Sequence, residues 1–147
     1  MTCYLSLGSN LGNRSRNLQQ ARFLINKQVG LLKVASRIHE TEPWGFKSDN
    51  KFLNQVIAVE TNLSPETILA LTQEIERNIG RTQKTTGQIY SDRLIDIDIL
   101  MVGDIRMNTE ALTLPHPQMH MRPFVIVPLS EIAPELAEDN NQPADKN

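Results

Sequence analysis

The sequence lacks the features that mark secreted and membrane proteins. It has a single cysteine, Cys3, so no internal disulfide can form, and none of its apolar runs approaches the roughly 20 residues that span a bilayer. The N-terminus also lacks the basic segment followed by an apolar segment that is typical of a signal peptide. We therefore expect a cytoplasmic protein with no membrane partner.

An excess of positive charge is missing as well. The 147 residues include 15 Lys and Arg against 17 Asp and Glu, which gives a formal net charge of -2. Domains that bind nucleic acid through its phosphates usually carry a basic excess. We expect no nucleic-acid partner; the expected partners are small molecules, and the expected state is a monomer or a weak oligomer.

The sequence shows no internal repeat. Its hydrophobic fraction of 39% over 147 residues is enough for one buried core without disulfides or a structural metal. Residues 137–147 are rich in Glu, Asp and Asn, a composition typical of disorder. The sequence therefore predicts one domain over residues 1–136, followed by a disordered acidic tail over residues 137–147.

One segment combines strand periodicity with paired acids. Ile95, Ile97 and Ile99 alternate with Asp96 and Asp98, which is the period of a strand with one apolar face. Side chains two residues apart on a strand point the same way and lie roughly 6.5–7 Å apart, so two carboxylates repel each other unless a cation lies between them. Mg²⁺ takes one or two protein carboxylates and completes its octahedron with phosphate oxygens and water. The pattern predicts either a metal-phosphate site or a solvated strand with an acidic face.

The order of the predicted elements is βαββαβ, followed by a C-terminal hairpin and a helix. This is the order of an α+β, ferredoxin-like sandwich, an antiparallel sheet with helices packed on one face. We expect the first and fourth strands side by side at the centre of the sheet. The predicted strands are Thr2–Leu7, Leu31–His39, Phe52–Glu60 and Ile95–Val102, the helices are Arg14–Lys27 and Pro65–Ile79, and a hairpin turn at Gly103 leads into Ile105–Met107.

Two loops each allow two interpretations. The glycine-containing turn Gly8–Asn13 either holds phosphate through backbone N–H groups or only turns the chain into the first helix, since it lacks the lysine and the spacing of a P-loop. The loop over residues 40–50 contains the one tryptophan, Trp44, and Phe46, whose rings either pack beneath the loop or contact a ligand. Asn54, inside a predicted strand, either lies on the wet face or hydrogen-bonds a specific partner.

Taken together, six motifs occur in the order typical of one enzyme family. They are Gly8-Ser9-Asn10, Thr41-x-Pro43-x-Gly45, Phe52-Leu53-Asn54, Gln73-x-x-Glu76, Arg93-x-x-Asp96-x-Asp98-Ile99-Leu100 and Pro115-His116-Pro117 followed by Arg122-Pro123-Phe124. From about Thr2 to Leu136 the chain resembles the 6-hydroxymethyl-7,8-dihydropterin pyrophosphokinase family of folate biosynthesis. The resemblance implies an enzyme that transfers pyrophosphate from MgATP to the hydroxymethyl group of the pterin and releases AMP.

The resemblance also implies a role for each matching residue. Asp96 and Asp98 would hold two Mg²⁺ ions, and with Arg81, Lys84 and Arg93 they form the implied catalytic set. The implied ATP-binding residues are Leu69, Gln73, Glu76, Arg81, Lys84, Arg93, Ile99, Thr113, His116 and Arg122. The implied pterin-binding residues are Thr41, Pro43, Trp44, Gly45, Phe52, Asn54 and Phe124, with the pterin ring stacked between the two phenylalanines.

The chain departs from the family pattern at Gln83, Ile89, Tyr90 and Ala111, where some relatives carry other residues. No residue stands out as a general base, so either a metal-bound aspartate helps to deprotonate the hydroxyl or no base is required. Two other functions stay open on the residues alone. One is a non-catalytic ferredoxin-like RNA-binding module, which would need basic and aromatic residues in an RNP-like string on the sheet, and no such string is present. The other is a different Mg²⁺-dependent phosphotransferase that uses the paired aspartates on another acceptor.

Overall fold

A computed structural model describes residues 1–44, 47–81 and 93–138, with the side chain of Arg81 excluded. An antiparallel sheet carries helices on both of its faces. The elements are β1 (Thr2–Ser9), α1 (Arg14–Gln28), β2 (Leu31–Ala35), β3 (His39–Thr41), β4 (Phe52–Glu60), α2 (Pro65–Arg81), β5 (Asp96–Val102), β6 (Met107–Asn108), β7 (Thr113–Leu114), a 3₁₀ turn (Met119–Met121), α3 (Pro123–Ile132) and α4 (Pro134–Ala137).

The first two helices begin at the predicted residues, Arg14 and Pro65, and each is capped by the residue before it. Asn13 precedes α1, and its Oδ1 accepts a hydrogen bond from the N–H of Arg16 at 3.1 Å. Ser64 precedes α2, its Oγ accepts from the N–H of Thr67 at 3.2 Å, and Pro65 takes the first helical position. One face of α2 is buried, and it is formed by Ile68, Thr72, Ile75 and Ile79.

The strands lie in the order β2-β4-β1-β5, and β3 also pairs with β4. The predicted contact between the first strand and the aspartate strand is confirmed, but their central position is wrong. The centre is formed by β1 and β4, and β5 lies at the edge, because β1 has β4 on one side and its remaining side is taken by β5. The aspartates therefore lie on an edge strand.

The predicted second strand is divided into β2 and β3. The two pieces pair with the two ends of β4, in the registers Ala35 to Ile57 and His39 to Asn54. Between them the side chain of buried Ser36 takes the place of a backbone partner, since its Oγ accepts from the N–H of Val56 at 3.0 Å. The backbone N–H of Ser36 still donates to the carbonyl of Val56 at 2.9 Å, so the side chain replaces only one of the two backbone hydrogen bonds at this step.

The two helices of the βαββαβ frame lie on one face of the sheet, as predicted, and the C-terminal helix adds a cover on the other face. Helices α1 and α2 cover one face through a core that includes Leu5, Leu7 and Ile57. Helix α3 covers part of the opposite face, where Val125 and Leu129 pack with Val56 and Leu100 of the strands. The central strands carry apolar side chains on both faces, so both faces require a cover.

The C-terminal hairpin is present, but with a different partner from the one predicted. Gly103 has φ +54° and turns the chain at the end of β5, and the N–H of Ile105 donates to the carbonyl of Val102 at 3.0 Å. Strand β6 then pairs with β7 and not with β5. In the part of the chain described, no helix is both long enough and apolar enough to cross a membrane.

Candidate active site

A cavity of about 210 Å³ opens on the sheet face that α3 covers only in part. In contrast to the apolar strand residues beneath α3, the sheet here presents small and polar residues, which are Ser6 and Gly8 of β1, Asn54 of β4 and both aspartates of β5. Ten residues predicted from the sequence line the cavity. They are Thr41, Trp44, Phe52, Asn54, Arg93, Asp96, Asp98, His116, Arg122 and Phe124.

The two aspartates face the cavity together. In the register of β5 against β1, Asp96 lies opposite Gly8 and Asp98 lies opposite Ser6, so both carboxylates emerge on the same side. Burial raises the pKa of Asp96 to about 6, and the neighbouring charge of Asp98 adds to the rise. Burial also raises the pKa of Asp98, although the charges of Arg122 and Arg93 oppose that rise. The fold thus holds two acids where their ionised forms are unfavourable without a compensating cation.

Arg122 lies between the aspartates and the aromatic rings of Trp44 and Phe124. Its Nη1 lies 3.5 Å from Oδ2 of Asp98, and its guanidinium carbon lies 4.9 Å from the ring centre of Trp44 and 5.6 Å from that of Phe124. Its Nη2 donates to Oε1 of Gln118 at 2.6 Å, and its buried Nε has no hydrogen-bond partner among the described residues. The stacked rings and Gln118 together fix the direction of this cation.

His116 is held beside β5 by its backbone. The N–H of His116 donates to the carbonyl of Leu100 at 2.8 Å, within a segment that follows a cis peptide between Leu114 and Pro115. Nδ1 of His116 accepts from the N–H of Gln118 at 3.1 Å, so the neutral ring carries its proton on Nε2. Burial, followed by the charge of Arg122, lowers the pKa of His116, which makes the neutral ring the favoured form at pH 7.

The other end of the cavity is lined by aromatic rings and by the side-chain amide of Asn54. Nδ2 of Asn54 donates to Oγ1 of Thr41 at 2.5 Å, which fixes the amide plane, and Asn54 is almost fully buried. Gly8 leaves room for this side, because a Cβ there would lie 3.3 Å from Oδ1 of Asn54 and 3.4 Å from the ring of Phe52. The rings of Trp44 and Phe124 lie 6.2 Å apart at 57°. This end suits a flat ligand with polar edges.

The glycine-containing turn after β1 does not offer its amides to the cavity. The N–H groups of Asn10 and Leu11 both donate to the carbonyl of Arg93, at 2.9 and 3.1 Å. These contacts fix the segment that leads into β5 and place Arg93 at the cavity. Of the two interpretations of this turn, the structure supports chain direction over phosphate binding by these two amides.

Several of the predicted ATP-binding residues lie outside the cavity. The carboxylate of Glu76 accepts from the N–H of Ile97 at 2.7 Å, and Ile99 is buried on the α1 and α2 side of the sheet. Leu69 is partly buried against the same core, Gln73 is exposed on α2, and Oγ1 of Thr113 in β7 donates to Asn108 at 3.3 Å. Their roles toward ATP stay predictions.

The remaining predicted site residues divide into two groups. Pro43 is described and lies beside the cavity lining without being part of it. Gly45, Lys84 and the side chain of Arg81 lie outside the described residues, as do the divergent positions Gln83, Ile89 and Tyr90.

Sequence reasoning did not single out Ser6, Glu42 and Gln118. Ser6 lies on the same side of β1 as Tyr4 and Gly8. The alternation of side chains along that strand could therefore have placed Ser6 on the cavity side. Gln118 lies four residues before Arg122, and it contacts both Arg122 and His116 only because of the turn that follows Pro117. Glu42 lines the cavity from the loop after β3, and nothing in the sequence distinguishes it from the other loop acids.

Comparison of the sequence with known protein families gives a match over most of the chain. The family described as 7,8-dihydro-6-hydroxymethylpterin-pyrophosphokinase (HPPK) matches residues 4–134. The chain belongs to the HPPK family. This membership confirms the resemblance that the six motifs predicted, and it favours an enzyme over an RNA-binding module.

Curated relatives within the HPPK family are similar along most of their length. A 2-amino-4-hydroxy-6-hydroxymethyldihydropteridine pyrophosphokinase from Porphyromonas gingivalis is 52% identical over 134 residues, which is 90% of this chain and 91% of that one. The protein of the same name from Bacillus subtilis is 39% identical over 138 residues, which is 92% of this chain and 80% of that one.

Solved structures with the same fold include two described as HPPK-DHPS. One, described as in complex with substrates, matches with a TM-score of 0.68 and 16% identity over 91% of this chain. The wild-type Plasmodium falciparum protein with SDX-DHP matches with a TM-score of 0.69 and 17% identity over 97% of this chain. This chain spans only 40% and 41% of those two chains. At these identities the likeness shows the fold, and it confirms the predicted α+β, ferredoxin-like class.

Proposed function

We propose that this HPPK-family enzyme transfers the pyrophosphoryl group of MgATP to the hydroxymethyl oxygen of 6-hydroxymethyl-7,8-dihydropterin, in the route to folate. The supporting observation is that one cavity holds the paired carboxylates of Asp96 and Asp98 at one end and Asn54 with Phe52 and Phe124 at the other. The first end suits a metal-bound polyphosphate and the second suits a flat heterocycle. A cavity with both ends is what a transfer between these two substrates requires.

The residues of the acidic end fit Mg²⁺. The protein ligands would be Asp96 and Asp98, because both carboxylates emerge on the same side of β5 and line the cavity. A hard cation held by two carboxylates keeps positions for phosphate oxygens and water, and that arrangement is typical of Mg²⁺ with a nucleotide. We propose two such ions, which would neutralise phosphate charge and polarise the phosphorus that is attacked. The raised pKa values of both aspartates are consistent with a site that binds cations.

Three residues at this end would contact the phosphates directly. Arg122 and Arg93 supply permanent positive charge at the cavity. His116 is neutral with its proton on Nε2, so it would act as a hydrogen-bond donor to a phosphate oxygen and not as the base. These groups would hold the charge that develops on the transferred phosphates.

The chemical step requires little beyond positioning. The pterin oxygen forms a bond to the β-phosphorus, the bond from that phosphorus to the oxygen that bridges it to the α-phosphate breaks, and AMP leaves with the bridging oxygen. The hydroxyl proton is released during the step. We propose that Asn54, Thr41, Phe52 and Phe124 hold the pterin so that its oxygen lies in line with the leaving group.

Other parts of the proposal concern the remaining predicted site residues, the extent of the domain and the oligomeric state. We propose that Leu69, Gln73, Glu76, Ile99 and Thr113 lie near adenine and ribose. We also propose that Arg81 and Lys84 contact phosphates, and that Pro43, Trp44 and Gly45 contact the pterin. We propose further that the domain spans residues 1–136 with an acidic tail over 137–147, and that the enzyme is a cytoplasmic monomer or weak oligomer. Light scattering coupled to size exclusion would measure the oligomeric state.

The decisive experiment measures AMP. Purified protein is incubated with ATP, Mg²⁺ and 6-hydroxymethyl-7,8-dihydropterin, and the nucleotides are separated by chromatography. We expect AMP that requires both the pterin and Mg²⁺, together with a pterin diphosphate of the expected mass. Release of AMP or ADP without the pterin would instead support a phosphotransferase with another acceptor, and no nucleotide turnover would refute the proposal.

A further inference from the structure

Asn10 connects the two ends of the cavity although it does not line it. Its side chain is 2% exposed, and its Oδ1 accepts a hydrogen bond from the backbone N–H of Arg93. Its Nδ2 donates to the backbone carbonyl of Asn50 at 3.0 Å. Arg93 comes three residues before Asp96, and Asn50 comes two residues before Phe52, so one amide joins the segments that lead into the acidic and aromatic ends.

The position of Asn10 is itself fixed from two sides. Its N–H and that of Leu11 donate to the carbonyl of Arg93. From beneath, Nδ2 of buried Asn17 on α1 donates to the carbonyl of Leu11 at 2.9 Å and to Oγ of Ser9 at 3.2 Å. Because the turn is held in this way, the amide of Asn10 sets the position of Asn50 relative to Arg93.

We propose that Asn10 is a positioning residue that sets the separation between the pterin end and the metal-phosphate end of the cavity. The proposal rests on the proposed function, since it assumes that the two ends hold the two reactants. An in-line displacement tolerates little error, and a misplacement of 1 Å costs about 10²-fold in rate. Asn10 acts on the reaction through Arg93 and Asn50, which predicts a loss in kcat that exceeds any loss in binding of either substrate alone.

Asn10→Asp removes the donor to Asn50 and keeps the acceptor for Arg93. The carboxylate has nearly the shape of the amide and still accepts from the N–H of Arg93, but it has no donor for the carbonyl of Asn50. Two oxygens would then face each other, and the Asn50 segment would move away. We expect kcat to fall at least about tenfold, while the Kd of the pterin alone and that of a Mg²⁺-bound non-hydrolysable ATP analogue alone each change less than about threefold.

The same turn offers a matched control at Asn13. Its Oδ1 caps α1 by accepting from the N–H of Arg16, and among the described residues it shows no hydrogen bond to either cavity segment. Asn13→Ala should therefore lower Tm by a few degrees and leave kcat unchanged. A merely structural role for Asn10 would give the same pattern as Asn13→Ala.

The outcomes separate this inference from the proposed function. If the wild type makes no AMP, the proposed function is refuted. If the wild type is active and Asn10→Asp keeps its kcat, or loses substrate binding in proportion to rate, the positioning role is refuted and the proposed function stands. Should Asn10→Asp fail to fold by circular dichroism, Asn10→Ser, which is uncharged and too short to reach Asn50, is judged by the same criteria.

Discussion

The carboxylate of Glu76 on α2 accepts a hydrogen bond of 2.7 Å from the backbone N–H of Ile97, the residue between Asp96 and Asp98. Glu76 thus holds the start of β5 from the face opposite the cavity. Burial raises its pKa to about 8, and the charges of Asp96 and Asp98 add to the rise, which outweighs the opposing effect of the Ile97 N–H. Three acidic side chains therefore lie close to the first three residues of β5. Asp96 and Asp98 are on the cavity face, and Glu76 is on the opposite face.

This arrangement predicts how stability depends on pH. The pKa of Glu76 in the fold lies above its ordinary value of 4.5, so the folded state binds more protons than the unfolded state between about pH 4.5 and pH 8. The free energy of unfolding should fall as the pH rises through that window, by a few kcal/mol at about 1.4 kcal/mol per pKa unit. Asp96, with its pKa raised to about 6, acts in the same direction.

Glu76→Gln isolates the contribution of that one carboxyl. The glutamine oxygen can still accept from the N–H of Ile97 but does not ionise. We expect a shallower loss of stability between pH 5 and pH 8 than in the wild type, measured by urea denaturation in the presence of EDTA. An unchanged slope would mean that Glu76 is ionised in the fold at neutral pH.

Asp98→Asn tests the metal assignment. Loss of one of two carboxylates should lower kcat by roughly 10³-fold, because phosphate charge would no longer be neutralised at that position. Without Mg²⁺ the variant should be at least as stable as the wild type, since it removes an acid whose pKa burial raises. Asp104→Asn, in the exposed turn after β5, is the control and should match the wild type. Turnover close to normal in Asp98→Asn would refute the metal role.

Arg93→Ala tests the division of the cavity into two ends. The side chain of Arg93 is exposed at the cavity, while its backbone groups hold the turn after β1, so the fold should persist. We expect kcat to fall by about 10²-fold through loss of charge at the phosphates, with the Kd of the pterin unchanged. Arg106→Ala, another exposed arginine, serves as the comparison. Calorimetry that shows equal losses of pterin affinity and rate would contradict the assignment of Arg93 to the phosphate end.

Gly8→Ala tests the aromatic end. The new Cβ would lie 3.3 Å from Oδ1 of Asn54 and 3.4 Å from the ring of Phe52, so one of these groups must shift by a few tenths of an ångström. We expect KM for the pterin to rise about tenfold and KM for ATP to stay within about twofold. Gly80→Ala, where a Cβ on α2 would have no atom of the described residues within 4 Å, should only add helix stability of about 0.5–1 kcal/mol. Equal changes in both KM values would place the disturbance outside the pterin end.

Local sequence signals were sufficient for most of the framework. The alternation of Ile95, Ile97 and Ile99 with the two aspartates predicted a strand with both carboxylates on one face, and two helices begin at the predicted Arg14 and Pro65. These features depend on side-chain period and on hydrogen bonds within a few residues, so they can be read without knowledge of the fold. The motifs also gave the family, because their residue types and order are specific.

Long-range contacts decided what the sequence left open or predicted wrongly. Nothing local determines that β5 takes the free side of β1 and becomes an edge strand, or that α3 covers the face opposite α1 and α2. The contacts of Asn10 with Asn50 and Arg93 join positions 40 and 83 residues apart, and that of Glu76 with Ile97 joins two elements. Such pairings depend on which strands and helices pack together, so only the tertiary structure could show how the two ends of the cavity are held in place.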